Sequence, residues 1–474
     1  MREHWRSRTG FILAAAGSAI GLGNIWRFPN KVAENGGGAF LIIYLGIVAI
    51  IGVSLMLAEI AMGRLAQSNG IRAYSQHFKG IGKVWASFGW VSILAAFLTL
   101  SFYFIVAGWS LNFTWDYLYA MITGAENYVP DFGAALSGNG TFLGWFTPLF
   151  WGLIFIVMTV IIVALGVNKG LEWSNKILMP LLLVFIVIVI FEALSLNTGL
   201  GDPMDGIAYY LKPDFSKVEG QFFDVASTAL SHAFFSLSIG FLLMMTYGSY
   251  LDKGENLPRA AVTVAVADTV IAVLAGFMTL PIVFAFGMQT VDPVTGVETV
   301  NAGAGLVFVT LPKVFANLPY IFGFIFFALL TIAALTSNIS IAEAVSSWFS
   351  ETFKMSKFAS VVIVYIAAFL VGILVSLSLG GHQLFGHDLT FAWPWMDKPA
   401  DLLTSIDDEF SVKILIPLGG MGVCLFSAWA IWGKIKDEVQ SGSSISSSVL
   451  QLWRILIGII IPVLIAYIII SSFL

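Results

Sequence analysis

Residues 17–29 read GSAIGLGNIWRFP, and Gly17, Gly21 and Gly23 interrupt an otherwise apolar stretch within seven positions. Glycine inside a helix costs about 1 kcal/mol relative to alanine, so three glycines close together favour an unwound segment. Unwound backbone at membrane depth is tolerated only where it lines a cavity or is buried in protein. Close packing of helices through glycine is the alternative interpretation.

A second interruption lies in HAFFSLSIGF at 232–241, where Ser236, Ser238 and Gly240 cluster in the middle of another apolar stretch. The two interruptions fall at corresponding positions if the chain contains two copies of a five-helix unit. Paired broken helices of this kind indicate a ligand site near the middle of the membrane.

The composition excludes a water-soluble globular protein. Of 474 residues, 58% are hydrophobic and 11% are charged, with a mean hydropathy of +0.90, whereas soluble domains carry about 25% charged residues. The net charge of −5 leaves no basic surface for nucleic acid. The single cysteine, Cys424, excludes an intramolecular disulfide and a cysteine metal cluster.

We predict an all-α polytopic membrane protein with eleven transmembrane helices, arranged as a 5+5 inverted repeat in which helices 1 and 6 are broken. A span needs about 20 mostly apolar residues. The repeats cover about 10–195 and 224–433 within a core at 1–433, and 434–474 adds helix 11. The predicted spans are 10–30, 39–62, 84–118, 145–166, 174–195, 224–250, 258–287, 318–350, 357–380, 409–433 and 452–473.

The basic residues predict the orientation of the chain. Sixteen of the 23 Lys and Arg residues lie at the ends of the spans that share a side with the N-terminus. Cytoplasmic segments carry this excess, so we expect a multi-pass protein of the cell membrane with its N-terminus in the cytoplasm. An odd number of spans then places the C-terminus outside.

Ionisable side chains inside spans are expensive and mark functional sites. Glu59, Asp268 and Glu343 lie within predicted spans, although Glu343 could face water near the end of its span. Arg27 and Asp408 fall on the same side of the membrane and could form an ion pair, unless Asp408 is a solvated helix cap. We expect His232 to line a vestibule rather than bind metal, because no partner ligand lies at helical spacing from it.

Oxygen-bearing groups suitable for a hard cation accompany both interruptions. Sodium prefers oxygen ligands, and the unwound carbonyls, Asn24 and Ser236 supply them near the breaks. Span 8 adds Thr336 and Ser337 within AALTSNIS at 333–340. These hydroxyls could instead bond back to their own helix.

Taken together, GSAIGLGNIWRFP at 17–29, ENGGGAF at 34–40, FFSLSIGF at 234–241 and ALTSN at 334–338 resemble the neurotransmitter:sodium symporters. The resemblance extends from REHW at 2–5 to the end of the chain and is strongest for the bacterial amino-acid branch, with its LeuT-like fold. It implies a carrier rather than an enzyme, which imports a neutral amino acid with two sodium ions by alternating access.

The resemblance also implies two sodium sites. The first would use Ala19, Asn24, Ser236 and Asp268. The second would use Gly17, Ile20, Ala333, Thr336 and Ser337.

A substrate pocket and two gates are implied in the same way. The pocket would comprise Ala19, Gly21, Gly23, Thr99, Tyr103, Phe235, Ser238, Phe241, Ser337 and Ile341. Arg27 and Asp408 would form the outer gate, and the inner gate would comprise Arg2, Trp5, Tyr250 and Glu351, with Arg2 pairing with Glu351. Amine carriers of the family have an aspartate where this chain has Gly21. The substrate should therefore bring its own carboxylate to sodium and Tyr103.

The chain departs from the family pattern in three ways. Asp268 stands where animal members have a neutral residue and bind chloride, so we expect chloride-independent transport with Asp268 as the substitute. Leu242 stands where glycine is common and would either narrow the pocket or merely pack. Eleven helices replace the common twelve, which leaves the contacts of a homodimer open.

Other classes of membrane protein are less consistent with these residues. A proton-coupled amino-acid permease of the same fold is the main alternative, but it would not need the hydroxyls of Thr336 and Ser337. An intramembrane hydrolase would have to use His232, and neither a GxSxG nor a HExxH motif is present. A channel would not need gates on both sides of one site.

Overall fold

The computed structural model describes residues 3–76, 82–125, 128–138, 140–141, 143–291, 298–300, 305–316, 318–379, 390–396, 399–471 and 473. Within these ranges the chain is almost entirely helical. Its two short antiparallel hairpins pair Gln289–Val291 with Glu298–Val300 and Thr390–Phe391 with Ala400–Asp401.

Nine unbroken helices in the described ranges are long and apolar enough to cross a membrane. The first predicted span is instead a pair of helices, Arg8–Ala19 and Gly23–Glu34, bent by 51°. The sixth is divided into Phe222–Ser236 and Leu243–Gly248. The unbroken spans are Gly38–Ala66, Val84–Thr123, Gly144–Ala164, Val167–Ser195, Leu257–Ala285, Tyr320–Phe353, Lys357–Leu379, Leu402–Ala430 and Ser447–Ser471. Every predicted span therefore has a helical counterpart, and the two predicted interruptions are present.

Span 10 begins earlier than the sequence indicated, at Leu402 rather than at 409. Its N-cap is Asp401, whose carboxylate accepts a hydrogen bond from the Thr404 backbone N–H. Asp408 therefore lies inside the helix, and its interpretation as a solvated cap is wrong.

The connections between spans contain short helices. These are Gly70–Ser75, Phe132–Ser137, Pro203–Leu211, Phe215–Val218, Leu306–Phe315 and Trp432–Gln440. Capping side chains begin several of the helices, including Ser7 before the first half of span 1 and Ser446 before span 11. Each accepts a hydrogen bond from a backbone N–H that has no partner within the helix.

The packing separates an interior from a lipid-facing surface. Span 8 packs most extensively against span 3, and the breaks in spans 1 and 6 are buried. Large apolar side chains on spans 5, 9 and 11 point outward, including Phe191 at 72% exposed, Leu370 at 61% and Val463 at 62%. The hydrocarbon of a bilayer accounts for this exposure, and the two breaks lie away from it.

Candidate substrate and sodium sites

The breaks in spans 1 and 6 contact each other at the centre of the bundle. Ile20 leaves the first helix with an extended backbone. Ser238, Gly240 and Leu242 all adopt positive φ, at +54°, +88° and +66°. The hydroxyl of Ser238 donates to the carbonyl of Ser18 at 2.8 Å, which joins the two breaks directly.

Glu59 of span 2 holds the break in span 6. It is fully buried, and its Oε1 accepts a hydrogen bond from the Gly240 backbone N–H at 2.6 Å. A backbone N–H freed from a helix needs such a partner when it is buried. The sequence identified Glu59 as an ionisable residue in a span but gave it no role, because its partner lies 181 residues away.

The residues predicted for the first sodium site lie together. The carboxylate of fully buried Asp268 accepts a hydrogen bond from Asn24 Nδ2 at 2.7 Å and another from the Ser236 hydroxyl at 3.0 Å. The Oδ1 of Asn24 accepts from the Gly21 N–H at 3.0 Å, which leaves its second lone pair for a further contact. Ala19 is the last residue of the first half of span 1 and lines a small cavity beside the two breaks.

The residues predicted for the second sodium site lie on the other side of span 1. The hydroxyls of Thr336 and Ser337 both donate to the carbonyl of Ile20, each at 3.3 Å. Thr336 also donates to the carbonyl of Ala333 at 3.0 Å. The hydroxyls therefore bridge the two helices in addition to bonding within span 8. Gly17 lies one turn before Ile20 and packs against Asn175 of span 5.

One cavity lies between these two clusters of oxygen atoms. All ten residues predicted for the substrate pocket line it, together with Leu243. The free space measures about 20 Å³, which is room for about one water molecule. Phe235 closes the cavity on the side of span 10, where it also lines the larger vestibule.

The two ends of the cavity differ in polarity. At one end, the N–H of Leu22 donates to the hydroxyl of Tyr103 at 3.3 Å. A Cβ on Gly21 would overlap the hydroxyl of Ser337 and would lie 3.0 Å from that of Tyr103. Phe241, Leu243 and Ile341 make the other end apolar.

Leu242 does not line the cavity, so it packs against the protein and does not narrow the substrate pocket. Its side chain fills the space beside Gly70, in the short helix after span 2. The next residue, Leu243, lines the cavity instead.

Arg27 and Asp408, the pair predicted for the outer gate, are in contact, and Asp407 joins them, which the sequence did not predict. Arg27 Nη2 donates to Asp407 at 2.6 Å and to Asp408 at 2.7 Å. The side chain of Asp407 is 14% exposed and that of Asp408 is 50% exposed, so Asp407 is the more buried partner. The Arg27 guanidinium also lies 4.7 Å from the ring centroid of Phe235. The two adjacent aspartates in IDDEF at 406–410 could have indicated that Asp407 also contacts Arg27.

A vestibule of about 290 Å³ is lined by Arg27, Asp407 and Asp408 together with Trp26, Lys31 and Thr404. His232 borders a second outer cavity of about 320 Å³ and stacks on Phe28, with ring centroids 5.6 Å apart. Within the described ranges, no group of three or more His, Cys, Asp or Glu residues could hold a metal ion.

Trp5 and Tyr250, two of the residues predicted for the inner gate, are hydrogen-bonded to each other. The backbone N–H of Trp5 donates to the Tyr250 carbonyl at 3.2 Å, and its indole donates to the Tyr247 carbonyl at 3.0 Å. Tyr250 in turn donates to Glu343, which also pairs with Lys357. Glu343 is fully buried, so the interpretation that it faces water is wrong.

The predicted pair between Arg2 and Glu351 lies partly outside the described residues, because Arg2 is not among them. Glu351 accepts hydrogen bonds from the backbone and the side chain of Asn69, at 3.0 and 2.8 Å. It therefore contacts the segment after span 2 on the side of the bundle that carries Trp5.

Comparisons with known proteins agree with this arrangement. The sequence profile described as the sodium:neurotransmitter symporter family matches residues 2–126 and 142–395. An uncharacterized sodium-dependent transporter of Haemophilus influenzae is 33% identical over 99% of this chain and 98% of its own length. A second, YhdH of Bacillus subtilis, is 32% identical over 97% of this chain and 95% of its own.

Among solved structures, the chain is similar to MhsT, crystallised in complex with L-phenylalanine. The TM-score is 0.84 and the sequence identity is 38%, with complete coverage of both chains. The predicted fold class is therefore confirmed, including the two broken helices.

Proposed function

Because the chain belongs to the sodium:neurotransmitter symporter family, whose members are transporters rather than enzymes, we propose that it imports a neutral amino acid with two sodium ions. The observation that carries this proposal is the cavity between the broken helices. It is polar at Tyr103 and apolar at Leu243, and its lining includes one residue predicted for each sodium site, Ala19 and Ser337.

The polar end of the cavity supports a substrate that carries its own carboxylate. Gly21 contributes no side chain, and the space beside it is taken by the hydroxyls of Ser337 and Tyr103. An amine without a carboxylate would find no anionic partner at this position. The L-phenylalanine bound in MhsT is a free amino acid and supports the same substrate class.

The apolar end of the cavity supports a neutral side chain. Phe241, Leu243 and Ile341 supply no charge there, and burying an unpaired charge against them would be costly. A neutral amino acid therefore matches the polarity of both ends of the cavity, which would have to widen from about 20 Å³ to admit it.

The charges at the two cation sites support transport without chloride. Two sodium ions beside a zwitterion give two net positive charges in a poorly solvated site. Asp268 compensates one of them, because a buried opposite charge lowers the energy of a cation in a medium of low dielectric constant. The second site, around Thr336 and Ser337, offers only neutral oxygens.

Two sodium ions provide enough free energy for steep accumulation. Each charge that crosses 100 mV gains about 2.3 kcal/mol, and a tenfold gradient adds about 1.4 kcal/mol for each ion. Together the two ions supply about 7.4 kcal/mol, which supports accumulation of a neutral substrate on the order of 10⁵-fold.

Uptake into proteoliposomes tests this proposal. A panel of radiolabelled amino acids is offered with an inward sodium gradient, or with potassium and a proton gradient, in chloride and in gluconate. We expect accumulation of neutral amino acids with sodium in both anions. Accumulation with protons alone would contradict both cation sites and favour a proton-coupled permease.

We also propose that the protein lies in the cell membrane with its N-terminus in the cytoplasm and its C-terminus outside. The distribution of Lys and Arg supports this orientation. A homodimer remains a prediction from the family resemblance.

A further inference from the structure

Arg454 lies between two tryptophan rings near one surface of the helix bundle. Its guanidinium carbon is 5.9 Å from the centroid of Trp429 and 5.3 Å from that of Trp432. Trp429 lies at the end of span 10, Trp432 begins the following short helix, and Arg454 belongs to the second turn of span 11. We call these three residues the Arg454 cluster.

The Arg454 cluster lies toward the N-terminal face, defined here as the side that carries residues 3–8, 251–256 and 431–446. Arg64 connects two of these segments, because it donates to the Glu255 carbonyl at 2.6 Å and pairs with Glu438 at 2.6 Å. Span 11 enters the bundle from this face at Ser447, so its second turn lies at the boundary between polar loops and the apolar spans.

Within the described ranges, the side chain of Arg454 makes a single hydrogen bond. Its Nε donates to the carbonyl of Ala428 at 3.1 Å. Across the part of the chain that the structure describes, no carboxylate pairs with Arg454 and its two terminal amino groups have no acceptor. The hydrogen bond to Ala428 therefore uses one of the five N–H groups of Arg454. No carboxylate among the described residues balances its positive charge.

The surroundings of the Arg454 cluster face lipid. Val449, Leu452 and Ile455 on the same turns of span 11 are 54%, 66% and 45% exposed, and Trp429 is 61% exposed. Tryptophan concentrates at the level of the lipid headgroups, where one edge meets hydrocarbon and the other meets polar groups. The indole of Trp429 is fixed in place, since its N–H donates to the Gly458 carbonyl at 3.0 Å.

We propose that the Arg454 cluster binds the phosphate of an anionic phospholipid in the leaflet at the N-terminal face. The terminal amino groups of the guanidinium form a fork that matches two phosphate oxygens. Lys436, one helical turn after Trp432, lies on the same side of its helix and adds a second positive charge. Phosphatidylglycerol carries the net negative charge that this pair complements, and a zwitterionic lipid does not.

This site is independent of the transported substrate. The Arg454 cluster belongs to spans 10 and 11 and the short helix between them, and none of its residues lines the cavity between the broken helices. Failure of the lipid experiment would therefore leave the proposed transport function unaffected.

Native mass spectrometry of the full-length protein tests the proposal. The wild type and Arg454→Gln are released from micelles that contain equal amounts of phosphatidylglycerol and phosphatidylcholine. Glutamine keeps a donor for the Ala428 carbonyl but removes the charge. We expect the wild type to retain phosphatidylglycerol preferentially, and the substitution to reduce that preference about tenfold, because a charge-assisted bidentate contact is lost.

Arg72→Gln is the matched control, since Arg72 is an exposed residue on the same face in the short helix Gly70–Ser75. It removes the same charge and should keep the wild-type preference. Equal loss in both variants, or no loss in Arg454→Gln, would overturn the proposal.

Two further measurements distinguish a bound lipid from a folding defect and from a free anion. Trp432→Leu keeps the charge and removes one ring, so it should weaken retention of phosphatidylglycerol even if Arg454→Gln folds poorly. Unchanged retention in Trp432→Leu would contradict the proposal. Inorganic phosphate should not reproduce the rise in melting temperature that phosphatidylglycerol produces, and an equal rise would assign the site to a free anion.

Discussion

The hydroxyl of Ser337 occupies the space that a Cβ on Gly21 would need. This contact joins the break in span 1 to span 8, and the same hydroxyl donates to the carbonyls of Ser18 and Ile20. A single methyl group at position 21 would therefore disturb the substrate cavity and the second oxygen cluster together.

We predict that Gly21→Ala lowers sodium-driven uptake at least about tenfold, because displacing Ser337 breaks two buried hydrogen bonds worth about 1 kcal/mol each. The half-saturating sodium concentration should rise in parallel. Gly46→Ala is the control, since a Cβ there meets no atom within 4 Å. Wild-type sodium dependence in Gly21→Ala would contradict the placement of Ser337 at a cation site.

Asp268→Ser should make uptake depend on chloride. The serine removes the buried negative charge that compensates a sodium ion, so an external anion is needed in its place. Uptake is compared in chloride and in gluconate, and we expect at least about a tenfold difference for the variant, which is about 1.4 kcal/mol. Asp116→Asn removes an acidic group of span 3 that lines none of the described cavities and should keep chloride-independent uptake. Unchanged chloride-free uptake in Asp268→Ser would refute the compensation.

Leu243→Ala should shift the preference of the carrier toward larger side chains. Leu243 lines a cavity of about 20 Å³, and removing its isobutyl group enlarges the apolar end. Competition by phenylalanine relative to alanine should improve about tenfold or more, since one methylene in such a pocket is worth about 1–3 kcal/mol.

Leu242→Ala is the neighbouring control for this measurement. Leu242 packs beside Gly70 rather than in the cavity. Its truncation should therefore leave the ratio of phenylalanine to alanine competition unchanged. An equal shift in both variants would show that the two leucines act through the backbone of the break rather than through the cavity.

Asp407→Asn should impair transport more than Asp408→Asn. Both carboxylates accept from Arg27, but Asp407 is the more buried, and breaking a buried ion pair costs about 3–5 kcal/mol whereas an exposed pair contributes about 0–1 kcal/mol. Initial rates of uptake for the two variants provide the comparison. A larger loss in Asp408→Asn would reverse the assignment of the main acidic residue of the outer gate.

Labelling of single cysteines tests the predicted orientation. The native Cys424 is buried, so the wild type should resist a membrane-impermeant maleimide. Glu219 and Lys253 are exposed and lie before and after broken span 6, on opposite sides of the bundle. Glu219→Cys should be labelled in intact cells and Lys253→Cys only after permeabilisation. The reverse pattern would place the N-terminus outside.

Much of the fold could be predicted from the sequence because membrane insertion depends on local composition. Every predicted span has a helical counterpart, and Gly21 and Ser238 mark the two breaks. Spans 5 and 10 begin earlier than predicted, at Val167 and Leu402. At span 10 the charged residues Asp407, Asp408 and Glu409 depress the hydropathy although they lie within the helix.

The sequence identified the residues of the candidate site but not all of the contacts that they make. The ten pocket residues identified by the family resemblance surround one cavity. Glu59 and Asp407 were missed as contributors, because a carboxylate finds its partner through the packing of distant helices. The sequence left open whether Glu343 faces water for the same reason. In the structure it is buried and contacts Tyr250 and Lys357.

Hydropathy and local backbone preference were thus enough to predict the spans, the two positions where helix is unfavourable and the oxygen-rich residues beside them. The packing of the helices was needed to show that Leu243 rather than Leu242 lines the cavity, and that Asp407 is the more buried partner of Arg27. Adjacent residues on a helix point about 100° apart, and a positive φ redirects the chain again, so side-chain direction emerges only when the helices are packed.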